Sequence, residues 1–224
     1  DKAVTYLAPF AAQFEGVENA DVIIDNVSND SAAAVNALLR AGKTVAMITE
    51  GDEKGNFICS YEDFLTIAKD YVITATGVYG ANYKAAVILN PLVFLPGKPA
   101  NNTSGYVETT LRSGSYNYRF DWLALTAMGF TMTEDLSKAN VIVGSQKLSD
   151  EALGAVKAGT PYMAYGATAF RGEGNFLLGL GVKLDSCTMG TDFLGRVLYP
   201  NNTLVNASYI NEADDVMYEY GTNW

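Results

Sequence analysis

The sequence predicts an α/β protein built as two related lobes with parallel sheets, the second ending in a short β-rich segment. Three observations lead there. Blocks of the chain recur in the same order, short apolar β-branched runs alternate with helix-like periodicity, and strand-like runs around turns follow Leu184. The predicted lobes span residues 1–90 and 91–224.

The recurrence has three parts. Asn19-Ala20-Asp21-Val22-Ile23-Ile24 matches Lys138-Ala139-Asn140-Val141-Ile142-Val143. A helix-like stretch follows each, ending Arg40-Ala41-Gly42 in the first copy and Lys157-Ala158-Gly159 in the second. Gly55-Asn56-Phe57 then matches Gly174-Asn175-Phe176. A period this long means duplicated domains, because solenoid repeats are far shorter.

Element by element, the physics agrees. Val22-Ile23-Ile24 and Val141-Ile142-Val143 are apolar and β-branched, which suits parallel strands buried on both faces. Val35, Leu38 and Leu39 recur at helical spacing, and so do Ala152, Ala155 and Val156. The closing cation favours the negative helix end, and the glycine suits a left-handed cap. Val45-Ala46-Met47-Ile48 and Tyr162-Met163-Ala164-Tyr165 supply a strand after each helix, giving two βαβ units. The second copy also shows an opening strand at Leu92-Val93-Phe94-Leu95, a helix from Arg119 to Met128 with Phe120 and Trp122 in the core, and a strand at Phe130-Thr131-Met132. The first copy lacks an opening strand before Val4, and the chain starts at Asp1 without Met, so we expect a piece of a longer protein. Runs at Val197-Leu198-Tyr199, 204–209 and 216–220 read as the short C-terminal strands.

Composition narrows the function. The chain has 224 residues, 49% of them hydrophobic, a net charge of −10 and a pI near 4.4. That balance disfavours nucleic acid as a partner, and no apolar run is long enough for a membrane span. There is no histidine, which removes every triad with an imidazole base. Cys59 and Cys187 lack zinc-site spacing and read as two free buried thiols, with one disulfide as the alternative.

Ligands of α/β units sit at the carboxyl ends of strands. The turns after the second matched strands are therefore the places to look: Ile48-Thr49-Glu50-Gly51 and Ala164-Tyr165-Gly166-Ala167. The recurrent Asn56 and Asn175 are candidates for reading a ligand, although an Asn more often pins its own turn. Tyr116 and Tyr118 are candidates for lining a sugar or peptide groove. Gly172-x-Gly174 and Gly179-x-Gly181 do not complete a dinucleotide fingerprint, and Asp214-Asp215 and Glu134-Asp135 read as acids on solvated turns. Asn26, Asn102 and Asn206 open Asn-x-Ser/Thr triplets.

The strand-to-elbow segment 159–168 resembles the class I glutamine amidotransferases, in which a nucleophilic Cys stands at the tight turn. Here Gly166 occupies that position, and Thr49 occupies it in the first copy. The resemblance implies flavodoxin-like, amidotransferase-like lobes and argues against activity, since glycine has no nucleophile and Thr49 has no imidazole base.

A second resemblance covers Val93-Phe94-Leu95-Pro96-Gly97, Tyr118-Arg119-Phe120-Asp121-Trp122-Leu123-Ala124-Leu125, Met128-Gly129-Phe130 and Tyr218-Glu219-Tyr220-Gly221-Thr222-Asn223-Trp224. These stretches are similar to the non-catalytic, amidotransferase-like region that follows the peptidase domain in secreted bacterial zinc carboxypeptidases of the carboxypeptidase-A-like class. It implies a secreted or cell-surface chain with no cofactor of its own, the zinc being held by a neighbouring peptidase domain in the same polypeptide. The family's zinc ligands and Glu base have no counterpart here, so no catalytic residue carries over. The expected function is an accessory region that supports or targets the peptidase. The alternatives are a freestanding two-lobed module for sugar or peptide, and a hydrolase working with carboxylates alone.

Overall fold

The structure is a computed structural model that describes residues 11–80, 82–97, 116–144, 148–164, 194–197 and 214–217. The protein is mixed α/β, with one mixed sheet, one parallel sheet and four α-helices among the described residues. It divides into two compact units, the main boundary falling between Asn90 and Pro91.

The first unit contains β1 (Gln13–Gly16), β2 (Asp21–Ile24), α1 (Asn29–Arg40), β3 (Ala46–Ile48), β4 (Phe57–Ser60), α2 (Tyr61–Ile67), β5 (Thr74–Val78) and β6 (Ala85–Val87). The six strands lie in the order β1-β5-β2-β4-β3-β6. Local chemistry sets the helix ends. Ser28 Oγ accepts the Ser31 N–H at 3.1 Å and so caps the start of α1. Past its end, Gly42 takes φ +73° and donates its N–H to the Leu39 carbonyl at 3.0 Å. Ser60 Oγ caps α2 by accepting the Asp63 N–H at 3.1 Å.

The expected parallel sheet is not what this unit forms. β2 and β3 run in the same direction on either side of α1, but β4 lies between them and is antiparallel to both. β2 is also antiparallel to its other neighbour, β5. The segment β2-α1-β3-β4-α2-β5 is thus a βαββαβ unit with its crossover split by one strand. The physical reason is the short link of eight residues after Ile48, which folds back as a hairpin and lays β4 between β3 and β2, so that β2 and β3 do not pair. Val22-Ile23-Ile24 is buried on both faces, as its composition predicts, and that composition serves an antiparallel centre as well as a parallel one.

Both helices cover one face. Val22, Ile24, Val45, Phe57 and Ala75 from the strands meet Ala34, Leu38, Phe64 and Ile67 from the helices in one apolar cluster. Phe14, Tyr61 and Phe64 stack at its margin, with ring centroids 5.3–6.4 Å apart. Cys59 belongs to this core as a free, buried thiol, whereas Cys187 lies outside the described residues.

The second unit contains β7 (Leu92–Phe94), α3 (Tyr116–Ala127), β8 (Thr131–Met132), β9 (Val141–Gly144), α4 (Asp150–Lys157) and β10 (Tyr162–Ala164). Here every described pairing is parallel, in the order β10-β9-β7-β8. The strand order reverses between β7 and β9, which defines a topological switch point. Ser149 Oγ caps α4 through the Ala152 N–H at 3.2 Å, and Gly159 ends it at φ +112°. Ile142, Leu148 and Ala152 form the small core of this unit. Along α3, Trp122 is only half-buried and Leu123 is exposed, so that helix contributes less core than expected; the Phe120 side chain lies outside the description.

The two matched blocks therefore share the order strand, helix, strand and differ in pairing. β9 and β10 are adjacent and parallel, while their counterparts β2 and β3 are separated by β4. β11 (Leu194–Val197) and β12 (Asp214–Met217) pair as a two-stranded sheet. Asp214 and Asp215 consequently sit on a strand, not on the expected turn. The strand expected at 204–209 lies outside the described residues.

Candidate functional site

One end of the first unit's sheet gathers the carboxyl ends of β2 and β3 with the β3–β4 hairpin. Thr49 and Asn56 bracket that hairpin, and both side chains are committed to holding it. Thr49 Oγ1 donates to the Lys84 carbonyl at 3.0 Å, and the Thr49 N–H donates to the same oxygen at 2.8 Å. This pins β3 to β6, and the Lys84 ammonium adds an exposed contact to Glu50 at 2.7 Å. Asn56 Oδ1 accepts the Asn26 N–H at 3.1 Å, while its Nδ2 donates to Glu53 Oε2 at 2.8 Å. Asn26 Nδ2 in turn donates to the Gly55 carbonyl at 3.2 Å. Partial burial, then the Glu53 charge, holds the Asp25 carboxyl above the ordinary carboxylate range.

The remaining sequence candidates fall elsewhere. Tyr116 and Tyr118 begin α3 two residues apart, so they do not share a helix face; their side chains are not described. Gly166 and Asn175 lie outside the described residues. On β10, burial pushes the Tyr162 phenol up to about 12. Among the described residues, no group of three or more His, Cys, Asp or Glu side chains is placed to hold a metal ion, and no helix is long and apolar enough to cross a membrane. Glu134 and Asp135 are exposed; Asp135 caps a 3₁₀ turn by accepting the Ser137 N–H at 3.0 Å, which is the turn role expected of it.

At the opposite end of the same sheet lies an open cleft of about 630 Å³ that the sequence reading missed. Asp21, Ser60 and Val78 are neighbours across β2, β4 and β5, and they form its floor. Asn19, Tyr61, Glu62, Leu65 and Tyr79 surround them. Asn19 is the one described non-glycine residue with positive φ, at 59°. Tyr79 is 83% exposed and Leu65 53% exposed, so both present apolar surface beside the cleft. In the sequence Asn19-Ala20-Asp21 is visible only as part of the repeat, and nothing local links it to Tyr61 or Tyr79. The pairing of β2 with β4 and β5 creates the site.

No family model, curated protein or solved structure matches the chain.

Proposed function

We propose that this chain is a non-catalytic accessory region that docks on, and supports or targets, the peptidase domain of a secreted zinc carboxypeptidase. The second unit's parallel order supports an amidotransferase-like, flavodoxin-like lobe there. Zinc would belong to the peptidase domain, with no ligand from this chain.

The observation that carries the docking role is the β6 edge. Lys84, Ala86 and Ile88 turn their backbone groups toward β3, as the Thr49–Lys84 and Ile88–Val45 bonds of 2.8 and 3.0 Å fix. By alternation, the N–H and C=O groups of Ala85, Val87 and Leu89 point to the free side of the sheet. Among the described residues β6 is an end strand, and Val87 and Leu89 are 63% and 82% exposed. The Ala85–Val87 run itself carries no charge, with Lys84 immediately before it, and an apolar end strand is one that a protein covers or pairs. An extended segment of the adjoining domain would extend the sheet and satisfy those groups.

The test is the full-length parent carrying Val87→Lys, beside a parent with this region deleted. Reduced secretion or thermal stability in both supports docking through this edge. Unchanged secretion, stability and peptidase kinetics after deletion would defeat the accessory reading. A peptide- or glycan-binding module then becomes the better account, which the cleft beside Tyr79 favours.

A further inference from the structure

We propose that the cleft between the start of β2 and the ends of β4 and β5 binds the cationic side chain of an arginine or lysine in a peptide. The inference does not depend on the accessory role. The cleft volume of about 630 Å³ falls within the ordinary range of small-ligand sites. Its lining includes two carboxylates, Asp21 and Glu62, and no lysine or arginine. The nearby Lys43 ammonium is already engaged by Asp63 at 2.9 Å.

The start of α2 would otherwise attract an anion, but the chain has closed that route. Ser60 Oγ takes the Asp63 N–H, and Glu62 and Asp63 occupy the first turn. An anionic guest would therefore meet two carboxylates at the cleft. A cationic guest meets complementary charge, and the exposed Tyr79 ring and Leu65 side chain offer apolar surface for its aliphatic stem and an aromatic face for its head. The carboxylates and the aromatic ring come from three different elements, and the sheet register brings them together: Asp21 stands opposite both Ser60 and Val78, which immediately precede Tyr61 and Tyr79.

The experiment is an NMR titration of the whole chain with three probes: an N-acetylated, C-amidated Gly-Arg-Gly peptide, its Gly-Glu-Gly counterpart, and a neutral glucose hexamer. Saturable shifts at the Tyr79 and Gly80 amides with the arginine peptide alone are expected. The affinity should fall about tenfold in Tyr79→Ala and in the Asp21→Asn/Glu62→Gln double variant, and fall as salt is raised. All three positions are exposed, so thermal unfolding of each variant should match the parent and separate lost binding from lost fold. Equal response to the glutamate peptide, preferential binding of the hexamer, unchanged affinity in the variants, or no shift at millimolar peptide would each overturn the assignment.

Discussion

Asn56 ties its hairpin to the end of β2: its Oδ1 accepts the Asn26 N–H at 3.1 Å across thirty residues of chain. The same carboxamide donates to Glu53, and the Asn26 side chain returns a bond to Gly55. This mutual arrangement closes the loop between β3 and β4 over the end of β2, and so holds the strand that splits the crossover.

Replacing Asn56 by Ala leaves the half-buried Asn26 N–H without its acceptor. The expected loss is about 1–3 kcal/mol of unfolding free energy. Urea denaturation should show a lower midpoint with an unchanged slope. An unchanged midpoint would mean that the hairpin holds without this bond.

Gly16 and Gly77 face each other where β1 pairs with β5. A Cβ on Gly77 would collide with the Val17 carbonyl and come within 2.8 Å of the Phe14 ring. Gly77→Ala should therefore loosen β1, at a cost of about 1–3 kcal/mol as in other overpacked sites. Hydrogen exchange should quicken first at the Val17 amide, which donates to the Gly77 carbonyl at 3.1 Å. Equal protection in parent and variant would refute the close approach.

Burial first, then the charges of Asp63 and Asp21, pushes the Cys59 thiol from its ordinary 9.0 up to about 12. In a Cys187→Ser background, Cys59 should resist alkylation at pH 8 in the folded chain and react once urea unfolds it. The unfolded thiol ionises as pH passes 9 while the folded one keeps its proton, so this group lowers stability as pH rises between those two values. Rapid native-state labelling would contradict the burial.

The Asp25 carboxyl is raised by desolvation and by Glu53, so its charged form is disfavoured in the fold. Its cost is absent at pH values low enough to protonate it and present above its folded pKa. Asp25→Asn should raise the melting temperature at pH 7, and the gain should vanish toward pH 3. A gain that persists at low pH would point to packing in place of charge.

The sequence by itself determined the local elements, because their signals lie within a few residues. Gly42 and Gly159 mark helix ends, and Val22-Ile23-Ile24 and Val141-Ile142-Val143 form central strands. It also contained the turn role of Asn56, which the hydrogen bonds to Asn26 and Glu53 realise. Only the tertiary structure decided which strands pair. A doubly buried β-branched run is compatible with parallel or antiparallel neighbours, and the choice depends on where a distant strand arrives. In the second unit β10 settles beside β9, whereas in the first β4 enters between β2 and β3 and turns the sheet mixed. That same insertion sets Asp21 opposite Ser60, and β5 sets it opposite Val78, so the cleft beside Tyr61 and Tyr79 exists through pairings among segments about twenty residues or more apart, with no trace in any one of them.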